Sequence, residues 1–126
     1  MTDFQDIRQQ IEALKPETPI PKPMSDDSSR IARWGIRRSE HALIYSMPNH
    51  KGPEKRHEKG VTISEFQQAF KQLQDTGFFS RQWFNANMVA CCKEGSCNFT
   101  TIGGIFQLIA LAEYDCKGWY RLSTKV

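Results

Sequence analysis

The chain has 126 residues, 39% of them hydrophobic and 25% charged, with a formal net charge of +3 and a mean hydropathy of −0.57. That length suits one domain able to bury a core without metal or disulfide support, and no run approaches the roughly 20 apolar residues needed to cross a bilayer. The opening MTDFQDIRQQIEAL carries Asp3, Asp6 and Glu12 where a secretory signal would be basic and then apolar, so a cytoplasmic protein with no membrane partner is expected.

Phe4, Ile7, Ile11 and Leu14 recur at helical spacing, which predicts an amphipathic helix over Asp3–Leu14 with Thr2 as its cap. So short a helix needs a surface to lie on, either its own domain or another chain. Pro16, Pro19, Pro21 and Pro23, followed by SDDSS, read as an extended and mobile linker. The expected division is a helical arm over residues 1–15, a linker over 16–29 and a single domain over 30–126.

Alternation of Trp34 with Ile36, and of Leu43 with Tyr45 and Met47, predicts a hairpin turning at Ser39, Glu40 and His41 and ending at Pro48. Asn49 to Gly60, NHKGPEKRHEKG, reads as a loop. Thr62-Ile63-Ser64-Glu65 has the form of a capping box, with Val61 and Phe66 placed as a hydrophobic staple, so a helix is expected to begin at Ile63. Phe66, Ala69, Phe70 and Leu73 give it an apolar face, and Gly77 stops it. A second helix should follow Ser80, burying Trp83, Phe84 and Met88, with a loop from Cys91 to Asn98 around Gly95. The stretch TTIGGIFQLIALAEY predicts a third helix, capped by Thr100 or Thr101 and running to Glu113. Asp115 to Gly118 reads as a turn and Trp119 to Leu122 as a strand.

The charge is unevenly spread: residues 1–29, 30–60 and 61–126 carry −3, +5 and +1, and His41, His50 and His57 all lie in the basic block. A local cationic segment is the footprint of a polyanion contact, and it also occurs on ordinary solvated surfaces. Arg37, Arg38, Lys51, Lys55, Arg56 and Lys59 are its candidate phosphate-contacting residues.

Three helices after strand structure, the last passing through TTIGGIFQLIALAEYDCKGWYRL, resemble a winged-helix domain over residues 61–122. The resemblance implies an α+β fold, a winged-helix-like three-helix core with short β-hairpins, to which the N-terminal amphipathic helix is appended. It further implies that Asn98, Thr100 and Thr101 stand at the helix start nearest DNA and that Lys117 and Arg121 lie on the wing. One departure bears on function. Between Ile102 and Ala112 the sole polar side chain is Gln107, so the third helix lacks the Arg, Lys, Asn or Gln face that reads bases and belongs in a core or under a second subunit. Gly103 and Gly104 within it suit close packing of a neighbour, or bare amides for a phosphate.

Other chemistry is weakly supported. Cys91, Cys92, Cys97 and Cys116 include no Cys-x-x-Cys pair, so no zinc or other cofactor is expected and the thiols read as reduced. No Gly-rich phosphate loop, His-Glu-x-x-His or paired acids appear, which leaves no catalytic residue to name and predicts a non-enzyme. Phe78, Phe79, Trp83 and Phe84, with Arg81 among them, suit a core or a base-stacking surface, the core being preferred. Two functions follow as expectations: a nucleic-acid-binding protein that contacts phosphates through its basic segment, or a protein-interaction or homodimerisation module whose core is structural.

Overall fold

The structure, a computed structural model, describes residues 3–23, 29–49 and 52–124. Helix α1 (Phe4–Glu12) is followed by strands β1 (Arg30–Arg37), β2 (Glu40–Asn49) and β3 (Gly52–Thr62), then α2 (Ile63–Thr76) and β4 (Phe78–Ser80). Helices α3 (Arg81–Asn87), α4 (Val89–Glu94) and α5 (Asn98–Leu108) precede β5 (Ala112–Cys116) and β6 (Trp119–Leu122). The fold is α+β, with two small antiparallel sheets in the orders β1-β2-β3 and β4-β6-β5. Among the described residues no helix is long and apolar enough to cross a membrane.

Asp3 caps α1, accepting from the Asp6 amide, and the expected cap Thr2 lies outside the described residues. The buried stripe of Ile7 and Ile11 faces α2, where the Phe4 and Phe70 rings lie 5.9 Å apart. The expected mobile linker is different in its described part. Residues 17–20 run beside β1, Glu17 N donating to Ile31 O, Ile31 N to Thr18 O and Ile20 N to Ser29 O. Ile20 is 3% exposed. A proline-rich segment can be a packed strap when its unblocked amides meet a strand edge, and that is its state here.

The first hairpin turns at Arg38 and Ser39, both at positive φ (48° and 64°), between the paired Arg37 and Glu40. This two-residue turn is tighter than the one expected at residues 39–41, and its mirror-type geometry suits the strand twist. Pro48 does not end β2, and residues 52–60, expected as loop, form most of β3, paired through Leu43↔Val61 and Tyr45↔Lys59. Their charges hid the strand: among its described side chains Glu58 pairs with Arg33 at 2.6 Å and Arg56 bonds Ser46 on the neighbouring strand.

The capping box at Thr62 and Glu65 and the left-handed Gly77 at φ 85° delimit α2 as its sequence predicts. Ser80 caps α3. The expected loop from Cys91 to Asn98 contains most of α4, whose Cys91 is buried. Helix α5 begins at Asn98 and stops at Leu108, short of Glu113. Its end is a Schellman-like closure, Leu111 N donating to Phe106 O and Ala110 N to Gln107 O, with Ala110 at φ 60° in the place glycine usually takes.

Helix α5 runs through the centre. Phe99, Thr101, Ile102, Ile105 and Phe106 are buried, and Phe99 packs on Phe79 at 4.9 Å and on Tyr120 at 5.3 Å. The glycine pair sits where neighbours come closest. A Cβ on Gly103 would lie 2.1 Å from Tyr120 Cζ, and one on Gly104 would lie 2.5 Å from Pro21 O.

Candidate nucleic-acid interface

The basic segment is largely engaged inside the molecule. Arg38 forks between Glu65 (2.6 Å) and Glu94 and also donates to Gly60 O at 2.9 Å. Arg37 reaches Glu94 at 3.3 Å, and Glu94 also accepts from the Gly60 amide. Hydrogen bonding to Glu65 holds the Arg38 guanidinium above its usual pKa despite partial burial. Arg56 donates to Ser46 Oγ and Ser46 O at 3.0 and 3.1 Å. Arg121, on β6, leans on Glu113 and Asp115 at 3.4 and 3.8 Å. Lys51 and the side chain of Lys55 lie outside the described residues.

The helix-start trio is inside too. Asn98 is fully buried, accepting from Tyr45 Oη and donating to Cys91 O at 2.9 Å. Burial pushes the Tyr45 phenol well above its ordinary pKa, with Cys97 3.2 Å away adding to the shift, so it stays neutral and free to donate. Thr101 is buried and Thr100 half-buried, and both accept from Lys22 Nζ, at 2.8 and 2.9 Å. Within α5 only Thr100, Gln107 and Leu108 escape burial, so the helix presents no row of polar side chains to a groove.

What the fold does bring together is a set of cations at the α4–α5 turn. Gly95, Ser96 and Cys97 are each met by a cation from a different element. Lys59 of β3 lies over Gly95, where an added Cβ would be 2.5 Å from Nζ. Arg81 of α3 donates to Ser96 O at 2.6 Å. Lys22 of the strap donates to Cys97 O at 3.3 Å. Arg81 also joins this turn to the β5–β6 turn: its amide donates to Gly118 O at 2.8 Å, beside exposed Lys117. Its guanidinium lies over the Phe99 ring at 4.6 Å, which fixes its position without consuming its charge. Among the described residues neither Lys59 nor Arg81 pairs with a carboxylate.

Of the residues expected to contact phosphate, Lys59 and Lys117 therefore belong to this surface, while Arg37 and Arg38 hold β1 to α2 and α4. Lys22 and Arg81 were not among the expected contacts. Lys22 sits in an acidic block and Arg81 in an aromatic one, so neither stood out from local charge. Of the aromatic cluster, Phe79 and Phe84 are core, whereas Phe78 is 42% exposed. The four cysteines are free, and among the described residues no three His, Cys, Asp or Glu side chains are grouped to hold a metal ion. Comparison with protein-family models, with curated proteins and with solved structures finds no match.

Proposed function

We propose that this chain is a non-enzymatic, winged-helix-like protein that contacts nucleic acid through phosphates, using Lys59, Arg81 and Lys117 with Lys22 behind them. The observation that carries this reading is the meeting of cations from three separate elements at residues 95–97 and beside the β5–β6 turn. Cations gathered from distant parts of the chain form a positive surface that local charge counts miss. The winged-helix reading draws support from β4 joining the β5–β6 hairpin alongside α2, α3–α4 and α5. In this reading α5 is structural, and contact is weakly selective because phosphates carry no base code.

The test is a titration of the whole chain against mixed-sequence DNA at two salt concentrations. Affinity should fall steeply with salt, and Lys59→Ala should reduce the salt slope by about 1 while weakening binding uniformly across sequences. No binding at low salt would overturn the proposal.

A second reading, a protein-interaction or homodimerisation module, is favoured by Ile36, Val89, Phe78 and Trp119, which are 64%, 49%, 42% and 41% exposed. Scattered apolar exposure is ordinary, so self-association has to be measured. Light scattering that stays at monomer mass at high concentration would remove the homodimer form.

A further inference from the structure

The outer face of the β4-β6-β5 sheet carries an aromatic pair that the core does not use. Register places Phe78 opposite Arg121 and Ser80 opposite Trp119, which puts Phe78, Trp119 and Arg121 on one face. Phe79 and Tyr120 between them are turned inward and fully buried. The Phe78 and Trp119 rings meet edge to face with centroids 5.6 Å apart, so each braces the other while leaving ring surface in solvent. Trp119 follows Gly118, to which Arg81 N donates, so the aromatic face borders the cations of the α4–α5 turn.

We infer that Phe78 and Trp119 are a stacking platform for unpaired bases, and that the preferred ligand of this surface is single-stranded nucleic acid. The inference rests on the phosphate-contacting reading above and names its ligand. A duplex hides its base faces inside the stack, whereas a single strand offers them to aromatic side chains while its backbone follows nearby cations. Charge favours the same ligand. Glu113 and Asp115, the acids of this face, share Arg121, and Lys117 and Arg81 along its border bring the cations to three against two acids. A partner protein adding a strand to β4 is disfavoured, because Thr76 Oγ1 already accepts from Phe78 N at 3.2 Å and lies 2.9 Å from Phe78 O.

The experiment titrates the whole chain with a labelled mixed-sequence strand of about 16 nucleotides, alone and annealed to its complement, at one low salt concentration. Wild type should bind the single strand more tightly. Trp119→Ala should weaken single-strand binding of order tenfold or more, while Trp119→Tyr, which keeps a ring, retains most of it. Lys59→Glu should weaken both forms. Circular dichroism of each variant shows that the fold persists, and if Trp119→Ala does not fold, Phe78→Ala serves in its place. Equal loss of duplex and single-strand affinity in folded Trp119→Ala, or no loss, overturns the stacking platform but leaves the phosphate reading standing. Failure of wild type to bind either form overturns both. If oligonucleotides do not bind but wild type self-associates and Trp119→Ala does not, the patch is a protein interface and the inference is wrong.

Discussion

Gly103 and Gly104 occupy the interior of α5, where each costs roughly 1 kcal/mol relative to alanine in helix propensity. What the helix gains is proximity. Gly103 accepts the Tyr120 ring against its backbone, and Gly104 accepts Ile20 and Pro21 of the strap. Both glycines are buried, so they offer no amide surface to a phosphate. Gly104→Val should therefore lower the urea midpoint, at a cost of about 1 to 3 kcal/mol or more, because the nearest obstruction is backbone and cannot rotate away. By contrast, Gly77 at φ 85° has open space around it, so Gly77→Ala should cost only the left-handed penalty of roughly 1 kcal/mol. Equal stability of Gly104→Val and wild type would show that the packing account is wrong.

At the scale of elements, the junction of β1, β3, α2 and α4 is held by Arg38 with Glu65 and Glu94. Burial of the Glu65 carboxyl acts to raise its pKa, but hydrogen bonds from Arg38 and the Thr62 amide outweigh it and leave the group below its usual 4.5. A carboxylate whose folded pKa is depressed contributes stability that is complete above its unfolded value and lost as pH falls through the folded one. Glu58, bonded by Arg33, is shifted in the same direction but is solvent-exposed, so it adds little. Urea midpoints should stay level from about pH 7 to 5 and decline below about 4.5. Glu65→Gln, which keeps a capping side chain, should lower the neutral-pH midpoint and flatten the acid decline. An unchanged decline in that variant would locate the acid-sensitive groups elsewhere.

Across the whole molecule, the N-terminal segment is part of the core. Ile7, Ile11 and Ile20 are 2%, 0% and 3% exposed. Burying side chains of that size stabilises by about 1.5 to 3 kcal/mol each, so the three together rival the 5 to 15 kcal/mol that is the usual stability of a domain. Deletion of residues 1–23 should consequently abolish or severely lower the cooperative thermal transition followed by circular dichroism. A truncated chain that melts like wild type would mean that the arm and strap are dispensable, as a mobile linker would make them.

The sequence by itself determined the local events whose causes lie within a few residues. The capping box at Thr62 and Glu65, the Gly77 stop, the Ser80 start and the amphipathic stripe of α1 all need only neighbours at short spacing. It also specified that α5 would be buried, since Gln107 is the lone polar side chain from Ile102 to Ala112. Tertiary structure alone decided the rest. Residues 52–60 become a strand because β2 supplies their hydrogen bonds, with Arg33 on Glu58 and Arg37 against Gly60, a partnership no period in the segment displays. Helix α5 ends early because Ala110 takes a left-handed conformation without the glycine that would advertise it. The cations at residues 95–97 come from positions 22, 59 and 81, and the sequence's own basic block spends Arg37 and Arg38 on Glu65 and Glu94. Charge at a surface is summed over space, where chain separation does not count, so the cationic site and the strap that helps build it were visible only once the chain had folded.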